Sequence, residues 1–143
     1  MMTAKEYLMQ IRTLDSMIKN IEDEIQSLRE ETASLRSAWP DGQPRGTGTT
    51  DPVGAQAVKI ADQLTTAERT HLTYMREMYR KREEILNVIE QVNDGECQRL
   101  LYLRYVQGYS WEAIAEDIDK SRQWTCTAIH SKALQIVEKI LST

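Results

Sequence analysis

A heptad pattern over the first 35 residues limits most strongly what this chain can fold into. Apolar side chains occupy nine of the ten seam positions, which are Ala4, Tyr7, Ile11, Leu14, Ile18, Ile21, Ile25, Leu28, Thr32 and Leu35. A stripe this narrow is typical of a helix that packs along its length against a second helix. The pattern therefore predicts one helix from Ala4 to Leu35 and a helical partner for it.

The next residues predict a loop and then that partner. Gly, Pro and Thr are concentrated at positions 38–51, which indicates a break in the helix and a loop. Asp51 and Pro52 suit an N-cap and a first helical position, because proline lacks the N–H that a helix start leaves unpaired. Helical spacing continues to Val92. The predicted inward stripe is Val58, Ala61, Leu64, Leu72, Met75, Tyr79, Leu86 and Ile89, widened near its end by Met78, Ile85 and Val92. Residues 1–92 are therefore expected to form a long antiparallel helical hairpin, a coiled coil.

After the turn at 93–95, the sequence predicts a separate domain of three short helices at 95–143. Ser110 and Ser121 suit the N-caps of the second and third helices, and the third includes residues 122–141. A short turn joins these two helices, and the small side chain of Ala115 lies where they would cross. This combination is typical of a helix-turn-helix, with a plain three-helix bundle as the alternative. The expected fold class is all-α, a hairpin followed by a helix-turn-helix domain.

About the last 45 residues resemble region four of bacterial sigma factors. The matching positions are Leu101, Arg104, Tyr105, Gly108, Ser110, Glu112, Ile114, Ala115, Ser121, Arg122, Ala133 and Leu134. With the preceding hairpin, the chain resembles late-gene activators of phages and prophages of Gram-positive bacteria. The resemblance implies binding to double-stranded promoter or operator DNA, control of phage or prophage genes, and RNA polymerase as a further candidate partner. Asp119 stands where the family usually has glycine, and aspartate tolerates left-handed backbone better than most residues.

The register of the last helix decides which side chains would face DNA. Counting along the sigma pattern forward from Ala115 and back from Ala133 gives registers that differ by one residue. The apolar spacing favours an inner face made of Cys126, Ile129, Ala133 and Val137. The alternative register has Thr125 and Ala128 inside. With the favoured register, the predicted DNA-binding residues are Lys120, Ser121, Arg122, Gln123, Trp124, Thr127, Ala128, Ser131 and Lys132.

Side-chain chemistry suggests separate roles within this set. Arg122 and Gln123 can form paired hydrogen bonds with guanine and adenine edges, whereas Thr127 and Ala128 suit a thymine methyl group. Trp124 suits either a plug over the preceding helix or a contact with the DNA backbone.

Charge also concentrates at this end of the chain. The net charge of −4 argues against binding to nucleic acid. From residue 120 onward, however, there is one acidic side chain, Glu138, and there are four basic ones, which gives a local net charge of +3: Lys120, Arg122, Lys132 and Lys139. Lys120 and Lys132 suit phosphate contacts. Arg122 has a structural alternative, an ion pair with an acidic residue, Glu116 or Asp119, that would stabilise the turn.

Other classes of function find little support in the sequence. With only His71 and His130, and no Gly-rich phosphate loop, we expect no catalytic residues, no cofactor and no enzyme. Cys126 and His130 lie four residues apart without a second pair, so no metal site is expected. Cys97 and Cys126 are expected to be reduced thiols. No apolar run approaches the ~18 residues of a membrane span and the first residues lack a signal-peptide core, which predicts a cytoplasmic protein.

Two other functions and one assembly remain open at this stage. A phage DNA-packaging protein like the terminase small subunits would also join a helix-turn-helix to a coiled coil, and a polymerase-docking module would use the sigma-like domain to hold protein. The apolar residues Met9, Met17, Met78 and Ile85 predict a homo-oligomer through the hairpin, with a dimer as the simplest closed form. Packing of these residues inside one chain is the alternative.

Overall fold

The computed structural model describes residues 2–38 and 52–143, and these residues form α-helices joined by short turns, as predicted. The helices are α1 (Ala4–Leu8), α2 (Gln10–Ala38), α3 (Pro52–Glu90), α4 (Gly95–Leu101), α5 (Trp111–Ile118), α6 (Arg122–Trp124) and α7 (His130–Leu141). One π-helical turn, Tyr102–Val106, follows α4, and a second, Thr125–Ile129, connects α6 to α7. The predicted loop at 39–51 and its Asp51 cap lie outside the described residues. Within those residues, no helix combines the length and the apolar character needed to cross a membrane.

The heptad seam of the first segment is buried, which confirms that this segment packs against other helices. Seven of its ten positions are buried, and Ile21, Thr32 and Leu35 are half-buried. A capping box starts the segment, because Thr3 Oγ1 accepts from the Glu6 N–H (3.2 Å) and Glu6 Oε2 accepts from the Thr3 N–H (3.0 Å). The predicted single helix is interrupted at Met9, between α1 and α2.

The inward stripe predicted for α3 is wrong at four of its eleven positions, Val58, Ala61, Leu72 and Tyr79, which are exposed. Val58, Leu72 and Tyr79 are 63%, 50% and 65% exposed. A different heptad is buried or half-buried: Ile60, Leu64, Ala67, His71, Tyr74, Met78, Lys81, Ile85, Val88 and Val92. This heptad contains a histidine and a lysine, so it is less apolar in sequence than the row that faces outward. The C-terminal end of the predicted stripe is correct, since Ile85, Ile89 and Val92 are buried.

The described residues divide into two compact units. The first unit contains residues 2–15 and 76–143, and the second lies within residues 16–75. In the second unit α2 and α3 run antiparallel around Ile25, Leu28, Ile60 and Ala67. Two polar contacts flank this small core: Arg29 Nη2 forms an ion pair with Glu68 Oε1 at 3.6 Å, and His71 Nε2 lies 3.3 Å from Glu22 Oε2.

The core of the first unit combines the ends of the predicted hairpin with the C-terminal helices. Its fully buried members include Leu8 of α1, Ile85 of α3, Leu100 of α4, Ile114 of α5 and Val137 of α7. α1 packs directly on α7. The domain boundary predicted between residues 92 and 95 therefore lies inside one continuous core.

The residues expected to mediate self-association are used largely within the chain. Ile85 is fully buried in this core, and Met9 and Met78 pack against it. Met17 is half-buried. For these residues the alternative, packing inside one chain, is the better description.

Candidate nucleic-acid interface

A tight turn joins α5 to the C-terminal helix, which we define as the continuous run of residues 122–141. Asp119 ends α5 with φ 56° and ψ 50°, the left-handed conformation that the sequence predicts it to tolerate. The Lys120 N–H donates to the Ala115 carbonyl at 3.0 Å, which closes α5 in the Schellman arrangement. Ser121 Oγ then accepts from the Trp124 N–H at 3.1 Å and caps the next helix, as predicted. Together these bonds produce the compact turn expected of a helix-turn-helix.

A π-helical turn resolves the two competing registers of the C-terminal helix. Thr125 is fully buried and Cys126 only half-buried, so the prediction that Cys126 faces inward is wrong at that position. From Ile129 onward the predicted inner face is correct, with Ile129, Ala133 and Val137 buried. The Thr125–Ile129 segment accommodates the additional residue, because a π-helical turn holds one residue more than an α-helical turn. The alternative register is therefore correct at Thr125 but not at the half-buried Ala128, and the favoured register is correct from Ile129 onward.

The predicted DNA-binding residues remain on the surface of the turn and the C-terminal helix. All are exposed except the half-buried Ala128: Lys120, Ser121, Arg122, Gln123, Trp124, Thr127, Ser131 and Lys132. The Trp124 side chain is 56% exposed, so it does not act as a plug over α5. Gln123, Thr127 and Ser131 follow at four-residue intervals. With Trp124 they form what we call the exposed strip.

Arg122 pairs with α5 rather than extending freely into solvent. Its Nε lies 2.7 Å from Glu112 Oε1 in the first turn of α5, and both side chains are more than 60% exposed. The structural alternative named from the sequence, Glu116 or Asp119, is therefore wrong about the partner. A hydrogen bond from the backbone N–H of Glu112 and the charge of Arg122 both lower the pKa of the Glu112 carboxyl, so this group is ionised at neutral pH.

Lys132 also has an acidic partner. Its Nζ lies 2.8 Å from Asp94 Oδ2, the side chain whose other oxygen caps α4 by accepting from the Cys97 N–H at 3.0 Å. The bond from Lys132, followed by that from the Cys97 backbone, lowers the pKa of Asp94 to about 2. The pair thus ties the C-terminal helix to the start of α4.

Sequence reasoning missed a buried aromatic cluster in the first unit. His130 is 9% exposed and lies edge-on to Trp111, with ring centroids 4.7 Å apart. The Arg104 guanidinium lies 4.5 Å above the Trp111 ring, and its Nη1 donates to the Tyr109 carbonyl at 3.0 Å. The cluster thereby fixes the segment that leads into α5. Arg104 was recognised only as a matching position of the sigma pattern, and no spacing rule pointed to His130 as its neighbour.

The geometry separates Cys126 from His130. Cys126 Sγ contacts the Gln123 carbonyl oxygen at 3.7 Å, whereas His130 faces the core. In the parts of the chain that the structure describes, no group of three or more His, Cys, Asp or Glu side chains is arranged to hold a metal ion.

Comparison with protein families, curated proteins and solved structures found no match. Function is therefore inferred from the residues of the turn and the C-terminal helix.

Proposed function

We propose that this chain is a sequence-specific, double-stranded DNA-binding regulator that controls transcription of phage or prophage genes in the cytoplasm. In this proposal the C-terminal helix, residues 122–141, enters the major groove. Arg122 and the side chains of the exposed strip contact base edges, while Lys120, Lys132 and Lys139 contact phosphates.

One observation carries the proposal: α5 and the C-terminal helix are joined by the short capped turn at Asp119, and the helix that follows presents polar side chains to solvent. In a helix-turn-helix the preceding helix lies behind the helix that enters the major groove, and α5 packs against the start of the C-terminal helix on its buried side. The local net charge of +3 supports the same assignment, because non-specific attraction to DNA depends on cations near phosphates.

Selection from a random library of DNA duplexes tests the proposal directly. The full-length protein should enrich a defined sequence, and its affinity for any duplex should fall steeply between 50 and 200 mM salt. A double substitution, Gln123→Ala with Thr127→Ala, should abolish the enrichment while the circular dichroism spectrum remains unchanged. Absence of both enrichment and binding at 50 mM salt would exclude DNA recognition.

Polymerase docking is the second candidate, and the exposed Trp124 indole favours it. Indoles are enriched in protein interfaces, and two of the basic residues, Arg122 and Lys132, are already paired with carboxylates. If this candidate is correct, purified bacterial RNA polymerase should bind the chain, and Trp124→Ala should remove that binding. DNA selection should then yield no motif.

We also propose that the chain forms a homo-oligomer through the hairpin. The supporting observation differs from the one expected, because the exposed apolar side chains are Val58, Leu72 and Tyr79, which repeat at heptad multiples along α3. Analytical ultracentrifugation at tens of micromolar should give a dimer. A monomer would contradict this proposal, and a ring of eight or more subunits would favour the DNA-packaging function.

A further inference from the structure

The ion pair between Arg122 and Glu112 joins the first residue of the C-terminal helix to the first turn of α5. The contact runs from Arg122 Nε to Glu112 Oε1 at 2.7 Å. The helix ends themselves are fixed, because Ser110 caps α5 and Ser121 caps the C-terminal helix. The pair therefore connects two anchored pieces of backbone.

We infer that Glu112 is a positioning residue that sets the sequence specificity of the DNA contact, by holding Arg122 in one orientation and by offsetting its charge. This inference rests on the proposed function. Glu112 itself lies outside the set of residues expected to contact DNA.

The orientation effect follows from the shape of the guanidinium group. Its five N–H donors form a planar fork, and pairing through Nε uses one edge of that plane. The edge formed by the two Nη groups remains able to make two parallel hydrogen bonds to a guanine edge. Without the carboxylate, the Arg122 side chain, which has four rotatable bonds, can reach several phosphates as easily as one base. Phosphate contacts, which carry no sequence information, then become more frequent and the base contact, which does carry it, becomes less frequent.

The charge effect has the same direction. Non-specific affinity grows with the number of cations that face phosphates, and a carboxylate beside Arg122 reduces the attraction of this guanidinium group to the phosphates of random DNA. A hydrogen bond to a correct base depends more on placement than on net charge. Glu112 thus lowers affinity for random DNA more than affinity for the preferred site.

Three variants separate orientation from charge. Glu112→Asp keeps the charge but shortens the side chain by one methylene, so the 2.7 Å contact is lost. Glu112→Gln keeps the length and removes the charge. Glu116→Gln is the matched control. Glu116 is exposed one turn further along the same helix, so its substitution removes an equal charge but leaves the contact between Glu112 and Arg122 in place.

The measured quantity is the specificity ratio, which is the affinity for the selected duplex divided by the affinity for a scrambled duplex. For Glu112→Asp we expect this ratio to fall roughly three- to tenfold with an unchanged salt dependence. For Glu112→Gln it should fall while binding to the scrambled duplex becomes tighter. For Glu116→Gln both affinities should rise together and leave the ratio unchanged.

The Arg122→Ala background distinguishes positioning from a general structural role. If Glu112 acts through Arg122, Glu112→Asp should change the ratio no further in that background. A ratio for Glu112→Asp equal to that of the unmodified protein would overturn the inference, as would an equal fall in the Arg122→Ala background. Failure of the proposed function looks different, because then the unmodified protein itself would select no duplex.

Discussion

Tyr105 Oη lies 2.6 Å from His130 Nε2, and this contact links the two π-helical turns of the C-terminal region. Tyr105 belongs to the first turn, Tyr102–Val106, and His130 directly follows the second, Thr125–Ile129. Both side chains are buried, at 2% and 9% exposure, so each satisfies the polar group of the other in the absence of water. Burial, with smaller contributions from Lys5 and Arg104, lowers the pKa of His130 to about 4.

This depressed pKa predicts acid sensitivity in a defined pH range. In the unfolded chain His130 titrates near the ordinary histidine pKa of 6.5, so between about pH 6.5 and 4 the unfolded state binds more protons than the folded state. The free energy of unfolding should therefore fall as pH decreases through this window. Below about pH 4, the protonation of His130 should cause no further change. Thermal melts of the unmodified protein and of His130→Gln should differ in slope across the window. Parallel pH profiles would contradict the prediction.

A charge at the centre of the C-terminal helix should unfold the first unit. Ile129 is 5% exposed in the core, and an unpaired carboxylate there costs several kcal/mol, on the order of a small domain's whole stability. Ile129→Asp should therefore lose the part of the helical circular dichroism signal that the first unit contributes, whereas Ser131→Ala, two residues away and exposed, should retain the full signal. A normally folded Ile129→Asp protein would mean that the inner face is assigned incorrectly.

Removing the Asp94 side chain should destabilise the start of α4. Asp94→Ala loses the cap on the Cys97 N–H, which typically costs about 1 kcal/mol. Because the folded-state pKa of Asp94 is lowered to about 2, its contribution is present at neutral pH and is lost as pH falls from about 4 towards 2. Urea titrations at pH 7 should show the loss. A difference from the unmodified protein that stays constant down to pH 2 would be evidence against this assignment.

The left-handed backbone at Asp119 predicts an unusual order of substitutions. Asp119→Val should lower the free energy of unfolding by about 1–2 kcal/mol, because a β-branched residue is strongly disfavoured there. Asp119→Gly should not lower it, since glycine adopts positive φ without steric cost. Chemical denaturation of both variants checks this. Equal losses for valine and glycine would show that the aspartate side chain, rather than the backbone, stabilises the turn.

Arg122 and Lys132 should contribute differently to DNA binding if the proposed function is correct. Arg122→Ala should reduce affinity for the selected duplex about tenfold or more and affect random duplexes less, because it removes a base contact. Lys132→Ala should weaken all duplexes alike and lower the salt slope by about one unit. Filter binding at several salt concentrations measures both effects. Identical profiles for the two variants would refute this division of roles.

Local signals in the sequence were sufficient for much of this fold. The seam from Ala4 to Leu35 predicted a buried helical face, and Ser121 and Asp119 predicted the cap and the turn that the structure contains. These features depend on neighbouring residues, so spacing and side-chain chemistry identify them. The same signals identified most surface positions of the candidate interface, but they left Trp124 open between a plug and an exposed contact, and Ala128 is half-buried.

Features that depend on distant partners were not predictable in this way. On α3 the apolar row at Val58, Leu72 and Tyr79 looked like the inward face, but the buried face includes His71, whose ring nitrogen is paired with Glu22 of α2. The π-helical turns were not predicted, because apolar spacing is interpreted with 3.6 residues per turn throughout a helix. One additional residue in a turn then shows up only as a disagreement between the register counted forward and the register counted backward. The acidic partner of Arg122 was also not predictable, because it depends on which acidic side chain of α5 lies within reach of the guanidinium group.

The shared core of the first unit has a consequence for how the chain acquires its structure. Leu8 and Val137 belong to one buried cluster although almost the entire sequence separates them. Closing such distant contacts costs chain entropy before it yields burial, which slows folding compared with a bundle of sequential helices. During synthesis on a ribosome, α1 can contact α3, where Tyr7 donates to Glu84, before the residues of α7 exist. The side of α1 that packs on α7 stays uncovered until those last residues have been made.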